Sequence, residues 1–236
     1  MMKTVLVTGA DRGLGYALTE EFLKRGFLVF AGQYMPAWPA LGELKEHWPQ
    51  GLEILPLDST SEESVRGAAQ YIQKKTGHLD MLVNNAGVIR PKEDIFLEVS
   101  EEDLMLQFQV NAVGALRVTE FVLPLMGQGM RRLCYVSSEA GSIGNAHRTD
   151  TFGYCMSKSA LNMAVRLLHN DLYEKGFTFR LYHPGWLKSY MTGDEKMRGH
   201  MEPEESAAVA AEQFLTDRPQ ENILVMQDVE GCLWSF

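Results

Sequence analysis

The chain has 236 residues, 45% of them hydrophobic and 22% charged, with a formal net charge of −9. That balance fits one α/β domain over residues 1–236 with a sizeable core, and it weighs against nucleic acid or an anionic membrane as partner. The three cysteines (Cys134, Cys155, Cys232) are scattered without metal-ligand spacing, and no apolar run approaches transmembrane length, so free thiols, no metal and a cytoplasmic location are expected.

Val5-Leu6-Val7 reads as a short strand buried on both faces. It runs into Thr8-Gly9-Ala10-Asp11-Arg12-Gly13-Leu14-Gly15, followed by a helical pattern through Leu14, Leu18, Phe22 and Leu23. In that context a glycine-rich turn admits a pyrophosphate to the backbone at a helix N-terminus; the competing reading is a tight βα turn without a ligand. Phe27 to Ala31 is the second strand, and its end, Gly32-Gln33-Tyr34, carries no acid. An acid there hydrogen-bonds the adenosine ribose and repels a 2′-phosphate, so its absence leaves room for NADP(H). Arg12 is then either the cationic partner of that phosphate or a solvated loop residue. As a partner it would contribute about 1.5–3 kcal/mol.

A short helix is expected between Pro36 and Pro49, and a third strand from Leu52 to Leu57, ending at Asp58-Ser59. Thr60-Ser61-Glu62-Glu63 has the form of a capping box for a helix that turns Val65, Ala68, Ala69 and Ile72 inward. Leu79 to Val83 is the fourth strand and leads into Asn84-Asn85-Ala86-Gly87, by itself a good turn. Ser100 caps a helical region reaching about Met126. Asn111 within it is a poor helix former in apolar company and predicts a local break or a bound water. Leu133 to Val136 is the fifth strand and delivers Ser137-Ser138 at its carboxyl end.

After the polar loop from Glu139 to Thr151, a helix from Phe152 to about Glu174 buries Leu161, Ala164, Val165, Leu168 and Leu172. Tyr154 and Lys158, four residues apart, share one face at its start. A phenol is a poor acid at neutral pH, and an ammonium one turn away favours its anion. Lowering its pKa by about 3 units takes roughly 4 kcal/mol. Phe177 to Tyr182 is the sixth strand, followed by His183-Pro184-Gly185. Residues 186–201, with Trp186, Tyr190, Met191, Met197 and Met201, lack periodicity and read as a covering loop over an apolar substrate or as plain packing. A helix from Glu202 to Leu215 and a strand from Ile223 to Met226 close the chain. Arg90, His147 and Arg148 are loop cations open to an anionic substrate or to solvent, and His183 reads as a strand-end packing residue.

Strands alternating with helices predict a Rossmann-type doubly wound sandwich, about seven parallel strands with helices on both faces. In such a sheet ligands bind beyond the carboxyl ends of the strands, which is where the polar signals fall.

With these residues in place the chain resembles the short-chain dehydrogenases/reductases over nearly its whole length. Gly9, Gly13 and Gly15 are similar to the family's cofactor turn, Asn84-Asn85-Ala86-Gly87 to its second signature, and Asn111, Ser138, Tyr154 and Lys158 to its catalytic tetrad. Pro184-Gly185-Trp186-Leu187-Lys188-Ser189 resembles the family's Pro-Gly-x-Val-x-Thr segment, with Leu187 and Ser189 replacing Val and Thr, and Asp58 matches the acid that meets the adenine. The Ser138–Tyr154 interval is a few residues longer than the family's. Within the family the chain looks most like the small NADP-dependent carbonyl reductases of the Sniffer and C-factor-like group.

The resemblance implies a cofactor site of Gly9, Asp11, Arg12, Gly13, Leu14, Gly15, Gln33, Asp58, Ser59, Asn85, Ala86, Gly87, Tyr154, Lys158, Pro184, Gly185, Leu187 and Ser189, with NADP(H) preferred to NAD(H). It implies hydride transfer to an aldehyde or ketone, with Tyr154 as general acid/base, Lys158 lowering its pKa and holding the nicotinamide ribose, Ser138 polarising the carbonyl, and Asn111 holding a relay water. It makes a homodimer or homotetramer an expected partner state, while some small carbonyl reductases of the family are monomers. An NAD-linked alcohol dehydrogenase and a non-catalytic dinucleotide-binding regulator remain competing readings.

Overall fold

The computed structural model describes residues 2–90, 95, 99–191 and 198–236. Eight strands form one sheet in the order β3-β2-β1-β4-β5-β6-β7-β8. They are β1 (Thr4–Val7), β2 (Leu28–Gln33), β3 (Leu52–Pro56), β4 (Met81–Asn84), β5 (Arg132–Val136), β6 (Thr178–His183), β7 (Met226–Asp228) and β8 (Leu233–Trp234). All neighbours are parallel except β7 and β8.

The helices are α1 (Gly13–Lys24), α2 (Ala40–His47), α3 (Glu62–Lys75), α4 (Glu101–Phe108), α5 (Ala115–Val122), α6 (Phe152–Leu172) and α7 (Pro203–Leu215). Alternating side chains of the strands feed two cores. Leu6, Leu82, Leu133 and Leu181 pack with α3, α5 and α6, while Val5, Val7, Val83, Cys134 and Tyr182 pack with α1, α2 and α7. The order reverses between β1 and β4, so the crevice at that switch lies beside the glycine turn.

Three local expectations change. The α3 cap is Ser61, whose hydroxyl accepts from the Ser64 N–H, because the Thr60 hydroxyl is drawn to Asp58 instead. The last parallel strand begins at Met226, with Ile223 exposed, and turns back through a hairpin the sequence pattern did not show. Asp228 makes that turn: one carboxylate oxygen accepts from Glu230 and Cys232, the other from the Trp234 indole. Around Asn111 the helix does not end. It widens into a π-turn over Gln109–Gly114 and resumes in α5.

At the far side of the sheet, Arg132 and Arg180 are fully buried and donate to carbonyls at the C-terminal end of α7. Arg180 also makes a two-armed pair with Glu221, each bond 2.7 Å. Replacing Glu221 by alanine leaves that guanidinium buried without a counter-charge. A loss of roughly 3 kcal/mol is expected in urea unfolding; an unchanged midpoint would show that the carbonyls alone satisfy it. Among the described residues, no helix is long and apolar enough to cross a membrane, and no group of three or more His, Cys, Asp or Glu is placed to hold a metal ion.

Candidate active site

The glycine turn is built by backbone approach. Gly9 has φ +61°, and a Cβ there would stand 2.9 Å from the Ala86 Cα; one on Gly15 would meet the Gly9 carbonyl oxygen at 2.1 Å. Gly13, at φ +57°, differs: a Cβ there would meet nothing nearer than the Ser189 Cβ at 4.0 Å. Gly9 and Gly15 therefore close the turn, while Gly13 opens onto the crevice between α1 and residues 185–191. That crevice, with the N-terminus of α1 behind it, fits a dinucleotide pyrophosphate.

Asn85 fastens this turn to the end of β4. Its amide donates to the Thr8 and Gly9 carbonyls at 2.9 and 3.1 Å, and the Thr8 hydroxyl accepts from the Asn85 and Ala86 N–H groups, both at 3.0 Å. Asp11 is buried, and its carboxylate accepts from the Tyr34 and Met35 N–H groups at the end of β2. Gln33 reaches the Trp38 carbonyl, and Leu14 packs in the core. The Asp58 carboxylate accepts from Thr60, and Ser59 gives its carbonyl to Arg117. On the other wall, Pro184 accepts from Ser206, Gly185 sits at φ +79°, and Leu187 and Ser189 are buried.

Arg12 is not a solvated loop residue. Its guanidinium lies 4.9 Å from the Trp38 ring centre and 5.2 Å from that of Tyr190, and it donates to the Tyr190 carbonyl. It thus joins the glycine turn to the segment after Gly185. Of the covering loop, Trp186 is exposed and packs edge-on to His200, and Met191 accepts from the Ile89 N–H; Met197 lies outside the described residues.

Tyr154 and Lys158 lie on the buried face of α6, against the end of β5. The Lys158 ammonium donates to the Val136 carbonyl at 3.0 Å, and its nitrogen is 5.8 Å from the Tyr154 ring centre. Ser138 stands just past the end of β5, and its hydroxyl neighbours the phenol. Gly87 keeps the space in front of them open: a Cβ there would fall 3.3 Å from Asn111 Oδ1 and 3.6 Å from Lys158 Nζ. The Asn111 side-chain amide bonds to the loop after β4 and to α6. It accepts from the Val88 N–H and donates to the Val88 carbonyl and the Ser157 hydroxyl, pinning the loop after β4 to α6. The π-turn presents that amide sideways, a usual role for such bulges at functional sites.

The electrostatics differ from the sequence-based expectation. Burial pushes the Tyr154 phenol up to about 12, against the lowering effect of the neighbouring Ser138 hydroxyl. Burial likewise pushes the Lys158 ammonium down to about 8. Desolvation is the largest cause for both groups, because each charge leaves water for the buried face of α6.

The residue that sequence reasoning passed over is Glu139. Its carboxylate accepts from the Ser138 hydroxyl at 2.5 Å and pairs with Arg148, and His183 Nε2 stands 3.8 Å away. Burial raises its pKa, but the bonds from Ser138 and Arg148 hold it below the ordinary carboxylate value. An acid directly after the reactive serine was the available signal. Arg148 and His183 therefore serve Glu139 rather than solvent or strand-end packing alone, whereas Arg90 pairs with Asp103 and His147 is exposed.

The short chain dehydrogenase family model matches residues 3–198, and the chain belongs to that family. It is a short-chain dehydrogenase/reductase, an oxidoreductase working with a nicotinamide dinucleotide. Among curated relatives, the 1-hydroxy-2-glutathionyl-2-methyl-3-butene dehydrogenase of Rhodococcus sp. (strain AD45) is 32% identical over 209 residues, 88% of either chain. Among solved structures, a short-chain dehydrogenase/reductase of Burkholderia multivorans with bound NADP is 29% identical, with a TM-score of 0.87 over the whole of both chains. The NADPH-bound carbonyl reductase from chicken fatty liver is 25% identical, with a TM-score of 0.85 over 100% of this chain and 99% of that one.

Proposed function

We propose that the protein reduces an aldehyde or ketone to the alcohol with NADPH, using Tyr154 as general acid. The observation that supports this reading is that Tyr154 and Lys158 share the buried face of α6, with Ser138 just past the end of β5 and the Lys158 ammonium beside Gly87. When bound, the reduced nicotinamide supplies a hydride to the carbonyl carbon. Tyr154 gives its proton to the carbonyl oxygen as negative charge develops there, and the same phenolate takes a proton in the reverse direction. Lys158 stabilises the phenolate and offers an N–H to the cofactor ribose. Ser138 fixes the phenol and orients the carbonyl oxygen, and Asn111 holds the loop that carries Gly87. The cofactor wall is formed by Gly9, Gly13, Gly15, Asp58, Asn85, Ala86, Gly185, Leu187 and Ser189, and residues 186–191 and 198–201 would face the substrate. The test is NADPH consumption with a panel of aldehydes, ketones and quinones. Tight NADPH binding without turnover across the panel would favour a dinucleotide-binding regulator.

The preference for NADPH rests on the acid-free end of β2, on Arg12 beside it, and on the NADP and NADPH carried by the two solved relatives. Arg12→Ala is expected to narrow the NADPH-over-NADH affinity ratio by about 10-fold or more in fluorescence titrations, the scale of one charge-assisted contact to a phosphate. An unchanged ratio would mean that Arg12 only braces Trp38 and Tyr190.

A further inference from the structure

Residues 234–236 touch three elements of the site in succession. The Trp234 ring packs edge-on to His183 at the end of β6, centres 5.6 Å apart, and its indole donates to Asp228 at 2.8 Å. Ser235 meets the turn after β5. Its carbonyl accepts from the Ser142 hydroxyl, and its own hydroxyl accepts from the Asn145 amide at 2.8 Å. The Phe236 ring lies 5.3 Å from the Arg166 guanidinium of α6. Of these elements, β6 leads into the Pro184–Gly185 wall, the turn carries Ser138, and α6 carries Tyr154 and Lys158.

The middle contact bears on the chemistry, because a ladder of hydrogen bonds runs from it to Ser138. Glu139–Gly141 form a single 3₁₀ turn capped by Ser138. The Ala140 N–H donates to the Ser138 hydroxyl at 3.1 Å and the Gly141 N–H to the Ser138 carbonyl at 3.0 Å. The Ser142 N–H continues the ladder to the Glu139 carbonyl at 2.9 Å. On one flank the Gly141 carbonyl accepts from Ser159 and Asn162 of α6 at 3.2 and 3.0 Å. On the other, Ser142 is fully buried; its one hydroxyl proton goes to the Ser235 carbonyl, 93 residues further along the chain, and its oxygen accepts from Asn145 at 3.0 Å. A 3₁₀ turn this short has poor hydrogen-bond geometry of its own, so its direction depends on what holds its two sides. We propose that Ser142 is a positioning residue: its bond to the Ser235 carbonyl fixes the turn that aims the Ser138 hydroxyl, and residues 234–236 brace the site. The proposal rests on the reading of Ser138 as the hydroxyl that orients the substrate carbonyl, and adds to it a support from outside the four residues assigned to the chemistry.

The test has two readings, both on the full chain. In amide hydrogen exchange, Ser142→Ala should speed the amides of residues 140–142 by about 5- to 10-fold, the scale of one hydrogen bond, and leave those of β5 as they are. Asn145→Ala, at an exposed position, should give a smaller change in the same direction, and it decides the matter if Ser142→Ala does not fold. Unchanged exchange over residues 140–142 in the folded variants would overturn the proposal. In kinetics, Ser142→Ala should lower kcat for carbonyl reduction by about 10-fold with NADPH affinity unchanged, because a misaimed hydroxyl is felt in the transition state. Ser142→Thr keeps the hydroxyl and should restore most of the rate. Alanine and threonine variants equally impaired, or a rate that falls only in step with NADPH affinity, would assign Ser142 to packing and sink its positioning role. If exchange changes as stated but the parent reduces no carbonyl compound, the proposed activity fails while the brace stands.

Discussion

Tyr154→Phe is expected to lower kcat for carbonyl reduction by about 10²–10⁴-fold, the usual contribution of a positioned general acid, while NADPH binding stays within a few-fold of the parent. The ring would remain in its buried place on α6, so only the phenolic hydroxyl is removed. Steady-state turnover and fluorescence titration of NADPH separate the two effects. Undiminished turnover would remove Tyr154 from the mechanism. A large loss of NADPH affinity would instead assign the phenol to cofactor binding.

The second large effect concerns Lys158, which is 2% exposed and, among the described residues, donates to the Val136 carbonyl. Its pKa falls from the ordinary 10.5 to about 8 because burial disfavours the ammonium. Below about pH 8 both folded and unfolded chains hold this proton, so the folded state bears the full cost. As pH rises from about 8 to 10.5 the folded chain has lost the proton and the unfolded chain has not, and stability is gained through that window. The shift corresponds to the order of 3 kcal/mol at pH 7. Lys158→Met should therefore stabilise the protein in urea unfolding at pH 7 by about 2 kcal/mol, after about 1 kcal/mol for the lost bond to Val136. The gain should shrink towards pH 10. The same variant should lose turnover by about 10²–10³-fold, the scale of one preorganised electrostatic contact. A variant destabilised at pH 7 would show that the ammonium is better satisfied than its surroundings indicate.

Lys158 thus has the pattern of a residue kept at the expense of stability. The cost is met by two well-packed cores, and much of the site's geometry is held by groups that do no chemistry. Asn85 and Thr8 lock the glycine turn to β4; Asn111 locks the loop after β4 to α6.

Period and punctuation carried most of the fold. Buried apolar runs such as Val5-Leu6-Val7, the turn from Thr8 to Gly15, and the stripe through Leu161 and Val165 are local patterns whose meaning does not depend on distant residues. They gave the alternation of strands and helices, and hence the crevice at the strand ends. What they missed was short or contextual. The β7–β8 hairpin has only two residues in its return strand, too few for a pattern, and it is fixed by the Asp228 carboxylate. At Asn111 the composition showed a disturbance in the helix, but only side-chain partners 23 and 46 residues away in the chain turned it into a π-turn rather than a break.

By itself, then, the sequence determined the class of fold, the strand-end location of the site, and which phenol, ammonium and hydroxyl were candidates to meet there, because spacing along a helix or strand dictates which side chains share a face. Tertiary structure alone decided their ionisation, the use of Arg12 between two aromatic rings, and the recruitment of Glu139, Arg148 and His183 behind Ser138. Those properties depend on burial and on charges brought together from β5, α6, β6 and the segment between Ser138 and Tyr154, and desolvation is a quantity that no stretch of sequence possesses until the chain has folded around it.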